Sequence, residues 1–127
     1  MNTFGAVLFV KDVARMRAFY EAVAGLSVTE AGPTWARLGT GAFELVVHGI
    51  PPHIAATFET SSPPERREEA AIKLVFPVAD IAIARATAAR LGGELNPPDR
   101  EWQLGSERIC DGVDPEGNVF QVRAETP

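Results

Sequence analysis

Apolar and polar positions follow one pattern twice along the chain. A strand-like apolar run at 7–10 leads into Asp12, and a second run at 75–78 leads into Asp80, 68 residues later. A short apolar run predicts a strand, and an aspartate directly before a helical pattern is a preferred N-cap residue. The pattern therefore predicts a strand and then a capped helix in each half of the chain.

The helical patterns after the two aspartates share one apolar stripe, at the same offsets from each aspartate. The stripe consists of Val13, Met16, Tyr20 and Val23 in the first half, and of Ile81, Ala84, Ala88 and Leu91 in the second. Each pattern then reaches a glycine, Gly25 or Gly93, and these are also 68 residues apart. Because glycine commonly ends a helix, the agreement of cap, stripe and stop predicts an internal duplication.

Three strand-like segments follow each helix, separated by glycine- and proline-containing turns. They are 26–30, 35–38 and 43–47 in the first half, and 94–95, 107–111 and 119–122 in the second. Residues 96–106 are expected to form a loop. Each half is thus predicted to be a βαβββ module, and the fold class is α+β.

The module boundaries follow from the proline- and charge-rich segment 49–70, which is typical of a connector. The first module is then 1–48 and the second 71–127. One four-stranded sheet with one helix buries too little apolar surface to fold alone. We therefore expect a single domain, 1–127, in which the two modules share a core.

Composition and charge exclude several classes of protein. Hydrophobic residues make up 46% of the chain and charged residues 23%, as in globular proteins. The net charge of −5 and the lack of a Lys/Arg cluster argue against a nucleic-acid partner. The N-terminal apolar run is too short for a signal peptide or a membrane span, and the single cysteine, Cys110, cannot form an intrachain disulfide. We expect a cytoplasmic protein with no membrane partner.

The duplicated pattern resembles the vicinal oxygen chelate superfamily, the group of glyoxalase I, bleomycin-resistance proteins and extradiol dioxygenases. The resemblance rests on Phe9-Val10-Lys11-Asp12 with Phe19-Tyr20 and Gly25-Leu26, on Phe76-Pro77-Val78-Ala79-Asp80 with Leu91-Gly92-Gly93, and on Asp114-Pro115-Glu116-Gly117-Asn118 before Val119-Phe120-Gln121-Val122. It covers nearly the whole chain outside the connector. It implies tandem βαβββ modules whose curved mixed sheets surround a cup, and a homodimer.

The resemblance also implies four metal-ligand positions, on the first and last strand of each half. Counted from the landmarks, they are Gly5, Glu44, Lys73 and Gln121. Glycine offers no side-chain ligand, lysine is protonated near neutral pH, and an amide oxygen is a weak ligand for transition metals. We therefore expect no metal and no cofactor. The chain looks more like the metal-free bleomycin-resistance branch, and we assign it no catalytic residue.

Six residues are candidate ligand-binding positions in the cup. Glu44 and His48 share one face of a strand, and Lys73 is expected to pair with Glu44. Aromatic walls at the border of the cup suit planar apolar ligands. The six are Trp35, Glu44, His48, Lys73, Trp102 and Gln121. The simpler alternative is that the charges satisfy each other in a vestigial cup and that the tryptophans pack in the core or a dimer interface.

Three functions remain open at this point. The leading hypothesis is a protein that binds a small organic molecule without metal or turnover. The second is a metal-dependent lyase, isomerase or dioxygenase that uses Glu44 or His48. The third is an interaction subunit with a vestigial cup. Cys110 is interpreted as a small buried residue, because no base is placed beside it in the sequence.

Overall fold

The computed structural model describes residues 3–127. Residues 1 and 2, with which the first predicted module begins, lie outside the described residues. The chain divides into two compact units, 1–59 and 60–127, and their boundary falls inside the predicted connector. Each unit has a mixed sheet and one long helix, which confirms the predicted α+β fold class.

The first unit contains a four-stranded sheet in the order β1-β4-β3-β2. Strand β1 is parallel to β4, and the other neighbours are antiparallel. A four-residue helix, α2, lies in the predicted connector. The elements are β1 (Phe4–Val10), α1 (Val13–Ala24), β2 (Ser27–Ala31), β3 (Trp35–Gly39), β4 (Phe43–Gly49) and α2 (Pro52–Ala55).

Helix α1 begins and ends as the sequence predicts. The Asp12 carboxylate accepts a hydrogen bond from the backbone N–H of Arg15 at 3.0 Å, and Gly25 ends the helix with φ 67°. Its buried face carries large side chains, and β3 and β4 bury the alternate residues of their strands. These buried residues are Met16, Phe19, Tyr20 and Val23 in the helix and Ala36, Leu38, Leu45 and Val47 in the sheet. The opposite sheet face is not covered by α1.

The second unit contains a five-stranded sheet in the order β5-β9-β8-β6, with β7 paired to β8. Strands β5 and β9 are parallel. The elements are β5 (Leu74–Pro77), α3 (Ile81–Arg90), β6 (Glu94–Leu95), a 3₁₀ helix (Pro98–Arg100), β7 (Trp102–Leu104), β8 (Glu107–Val113) and β9 (Val119–Glu125). The prediction of a loop over 96–106 is therefore wrong. Three residues are too few to show alternation, and a tight turn with Gly105 at φ 59° joins β7 to β8.

Helix α3 packs through smaller side chains than α1. The Asp80 carboxylate caps it by accepting from the N–H of Ile83 at 3.0 Å. The left-handed glycine after the helix is Gly92, one residue before the predicted stop. Its buried residues are Ile81, Ala84 and Ala88, and the buried residues of the sheet include Phe76, Cys110, Phe120 and Val122.

The turn at 114–118 anchors the chain that precedes β5. Fully buried Asp114 accepts hydrogen bonds from the backbone N–H groups of Glu116 and Asn118 at 2.9 and 3.0 Å. The carbonyl of Gly117 accepts from the N–H of Arg67 at 3.0 Å. Among residues 3–127, no helix is long and apolar enough to cross a membrane.

Candidate ligand-binding faces

The sheet of the first unit has an open face, on the side opposite α1, and most of the predicted site residues of that unit lie there. Alternation along β4 buries Leu45 and Val47 against the helix and directs Glu44 and His48 to the other side. Across the sheet, His48 is paired with both Phe9 and Trp35. The strand register therefore brings together three of the predicted residues on this face, Trp35, Glu44 and His48.

A guanidinium lies on this open face, opposite Val46 in the register of β3 and β4. Arg37 donates a hydrogen bond from Nε to Glu44 Oε1, and its Nη1 lies 3.9 Å from Glu30 Oε2. The hydrogen bond with Glu44 and the charge of that carboxylate raise the pKa of Arg37, so the guanidinium remains charged. The partner of Glu44 is thus Arg37, a residue of the same unit, whereas Lys73 was the partner expected from the sequence.

An aromatic row lies beside this charged group. It consists of Phe9, His48 and Trp35, on three neighbouring strands. The rings of Phe9 and His48 are 5.7 Å apart between centroids. Phe9 is 59% exposed, so the row presents apolar surface. The His48 Nδ1 lies 2.9 Å from the carbonyl of Gly49. Because a carbonyl only accepts, Nδ1 is the donor in this contact, and in a neutral imidazole Nε2 is then an acceptor.

Gly5 lies opposite Glu44 in the parallel pair of β1 and β4. A Cβ at position 5 would lie 2.7 Å from the carbonyl oxygen of Glu44, too close without a backbone shift. The first of the four implied ligand positions therefore has no room for a side chain in this backbone arrangement.

The second unit has its own open face, opposite α3, with a continuous chain of polar contacts. Lys73 Nζ is 2.8 Å from Asp111 Oδ2, and the amide nitrogen of Gln121 donates to Asp111 Oδ1 at 3.0 Å. Arg123 Nε donates to the amide oxygen of Gln121 at 2.8 Å and also lies near Glu107. The buried Gln121 amide is thus held at both ends. Lys73 also has a partner inside its own unit.

Trp102 is located on β7, at the edge of the second sheet. Its register partner is Ile109, which in turn pairs with Arg123, so Trp102 lies on the same open face as the polar chain. Trp102 is 40% exposed. The structure therefore groups the predicted residues in two sets: Trp35, Glu44 and His48 in the first unit, and Lys73, Trp102 and Gln121 in the second.

Sequence reasoning missed the two residues that organise these faces. Arg37 lies between the buried Ala36 and Leu38, and this alternation alone could have placed it on the open face. Asp111 gave no comparable signal. Its contact with Gln121 depends on the register of β8 against β9, which the sequence pattern does not specify.

A second charged cluster lies on the covered side of the second sheet. Arg85 and Arg108 both donate to the carboxylate of Glu101. The hydrogen bond from Arg108 Nε is 3.1 Å long. Burial raises the pKa of Glu101, but hydrogen bonds from the two guanidinium groups outweigh burial and hold the pKa below its ordinary value. Burial raises the pKa of the nearby Cys110 thiol. Cys110 is buried and disfavours the thiolate, in agreement with its interpretation as a small core residue.

The residues at the four implied ligand positions do not fit a metal ion. Position 5 has no room for a side chain, and the carboxylate of Glu44 is bound to a guanidinium. Lys73 contributes a cation, and the amide oxygen of Gln121 is directed at Arg123. Within residues 3–127, no group of three or more His, Cys, Asp or Glu side chains is arranged to hold a metal.

Comparisons with known proteins point to one family. A family model described as a glyoxalase-like domain matches residues 5–123, nearly the whole chain. No curated protein matches the chain.

Several solved structures share the fold. A glyoxalase/bleomycin resistance protein/dioxygenase family enzyme from Burkholderia phytofirmans PsJN is 22% identical, with a TM-score of 0.67 over 96% of this chain and 97% of that chain. A bleomycin resistance determinant encoded on the transposon Tn5 is 15% identical, with a TM-score of 0.62 over 100% of both chains. The fosfomycin resistance protein FosX from Mesorhizobium loti is 16% identical, with a TM-score of 0.63 over 99% of this chain and 92% of that chain.

Proposed function

The chain belongs to the glyoxalase-like domain family, and from that premise we propose that it binds a small organic molecule on an open sheet face, without a metal ion and without turnover. The observation that carries this proposal is the state of the four implied ligand positions. Gly5 has no room for a side chain, and Glu44, Lys73 and Gln121 are each held by a neighbouring side chain. A metal would have to displace these partners, which costs their charge-assisted hydrogen bonds.

The aromatic row of Phe9, His48 and Trp35 supports an organic ligand of planar shape. Exposed apolar surface is favourable to cover, and rings stack on rings at centroid separations of about 4.5–7 Å. The Arg37 guanidinium beside the row offers a further planar surface, which can stack on an aromatic ring. We therefore expect the ligand to lie over Trp35, with its plane against the row.

Metal content is the first part of the test. Protein purified without chelator is analysed for metals, and its melting temperature is followed during titration with nickel, zinc, manganese and ferrous iron. We expect no bound metal and no shift in melting temperature. Near-stoichiometric metal, or a shift that Glu44→Ala removes, would contradict the proposal and support a metal-dependent lyase, isomerase or dioxygenase.

Ligand binding is the second part, and the two tryptophans provide a matched pair of reporters. Trp102→Phe leaves Trp35 as the fluorophore, and Trp35→Phe leaves Trp102. In a screen of planar organic molecules, we expect a ligand that quenches Trp35 and binds about two- to tenfold more weakly to Trp35→Ala, the loss typical of one aromatic pair. Failure of every planar molecule to bind would contradict the proposal and favour an interaction subunit.

A further inference from the structure

A cleft of about 650 Å³ lies at one end of the first sheet, and of its lining residues only His48 also belongs to the aromatic row. It is located where β1 and β4 both end and α1 begins. Its volume is in the range of small-molecule sites. Three chain segments line it: the start of α1, the turn between β2 and β3, and the chain that leaves β4. The lining includes Pro33, Thr34, His48, Ile50, Pro51 and Pro52.

Backbone hydrogen bonds hold these segments together. The N–H of Gly49 donates to the carbonyl of Thr34 at 2.7 Å, and the N–H of Ile50 donates to the carbonyl of Val10 at 2.8 Å. The prolines on the wall have fixed rings, which lose little side-chain entropy when a ligand covers them. The cleft is therefore preformed, and its walls offer flat apolar surface.

The charged groups that border the cleft already have partners. Lys11 Nζ donates to the carbonyl of Phe58 and lies 4.7 Å from the centroid of the Phe58 ring. Asp12 accepts the helix-capping hydrogen bond from Arg15. A charged ligand would have to compete with these contacts, so the cleft favours an uncharged molecule.

His48 gives the cleft a directional polar group. Its Nδ1 is engaged with the carbonyl of Gly49, so in the neutral imidazole Nε2 is an acceptor for an external donor. From this geometry, we propose that the cleft is a second binding site, for an uncharged planar molecule with a hydroxyl or N–H donor. The donor bonds Nε2 of His48, and the ring of the ligand lies against Pro33, Pro51 and Pro52.

Phenol and anisole form a matched pair of probes for this proposal. They have the same ring and oxygen, but only phenol can donate a hydrogen bond. The chain has two histidines, and His53, which is not in the lining of the cleft, is an internal control. At about pH 8, where an imidazole is ordinarily neutral, the ring ¹⁵N resonances of both histidines are recorded during titration with each probe.

We expect phenol to shift the Nε2 resonance of His48 in a saturable manner and to leave His53 unchanged. Anisole should bind about three- to tenfold more weakly, the loss typical of one neutral hydrogen bond. Equal affinities for the two probes, equal shifts at both histidines, or no shift at His48 would each overturn the proposal.

Two variants test the hydrogen bond to His48. His48→Phe keeps a ring of similar size and removes the acceptor, so the affinity for phenol should fall to that for anisole. His53→Phe should change neither affinity. The titration of the wild-type protein with the two probes tests the proposal by itself, so the test remains valid even if His48→Phe folds poorly. Trp35 is not in the lining of the cleft, so Trp35→Ala should weaken the ligand of the open face and leave the phenol titration of His48 unchanged, and either proposal can fail without the other.

Discussion

Apart from β7 and the short helices, the two units have the same succession of elements, but they fill the space between helix and sheet differently. In the first unit, α1 covers its sheet with large side chains, and the rings of Phe19 and Tyr20 meet edge to face at 5.2 Å. In the second, the buried face of α3 is narrower, and Ala84 and Ala88 take the places of Met16 and Tyr20. The polar cluster around Glu101 lies at the edge of this thinner layer.

The ion pairs on the open faces of the two sheets also differ. A guanidinium, Arg37, binds the carboxylate of Glu44 in the first unit, whereas a carboxylate, Asp111, binds the ammonium of Lys73 in the second. The strand order and the helix caps are alike, yet the polar residues stand at different register positions. The comparison teaches that the duplicated pattern determines backbone topology, and that chemistry is a property of individual side chains on it.

The largest effect on the free energy of unfolding is expected from exchanging the side chains at matched positions of α1 and α3. Met16→Ala gives α1 the side chain that α3 has at Ala84, and removes a fully buried residue from the first unit. We expect the free energy of unfolding to fall by about 2–5 kcal/mol, the usual cost of such a cavity. Urea denaturation followed by circular dichroism measures it.

The reciprocal change, Ala84→Met, tests the thinner layer of the second unit. We expect a smaller loss of about 1–3 kcal/mol, because a larger side chain must be forced into a packed site. A loss from Met16→Ala below about 1 kcal/mol would show that α1 does not depend on its large side chains. The two helices would then be equivalent in packing.

The features that the sequence predicted correctly are those encoded by short local patterns. The caps at Asp12 and Asp80, the stripes on α1 and α3 and the turn at 114–118 are local signals, because each is a pattern over a few consecutive residues. Strand β7 escaped detection, since three residues show no alternation. The partners of Glu44 and Lys73 also escaped, because ion pairs between strands depend on register, which no local pattern encodes.

The Glu101 cluster should give the second unit a pH dependence. Glu101→Gln removes the carboxylate that Arg85 and Arg108 share. We expect the free energy of unfolding at pH 7 to fall by about 1.5–3 kcal/mol, the range for a hydrogen bond to a charged group. Because the pKa of Glu101 is lowered in the folded chain, its stabilisation is present above the ordinary carboxyl pKa and is lost as the pH falls through the lowered pKa of the folded chain.

The matched control for this cluster is Glu107→Gln in the same sheet. Glu107 lies 3.8 Å from Arg123, and both side chains are about one-third exposed, so this pair should contribute only about 0–1 kcal/mol. Denaturation curves of wild type and both variants are compared between pH 7 and pH 3. A difference between wild type and Glu101→Gln that did not shrink as the pH fell from 7 to 3 would contradict the charge-based explanation.

The smallest effect is expected where the two units are most alike, at the helix caps. Asp12→Ala and Asp80→Ala each remove one side-chain hydrogen bond of 3.0 Å to a backbone N–H. Each should lower the free energy of unfolding by about 1 kcal/mol, measured by urea denaturation, and Asp→Asn at either position should restore most of it, since asparagine caps about as well. If Asp12→Ala cost clearly more than Asp80→Ala, and Asp12→Asn did not restore it, Asp12 would have a role in the first unit beyond capping. The similarity of the two units would then be confined to their backbones.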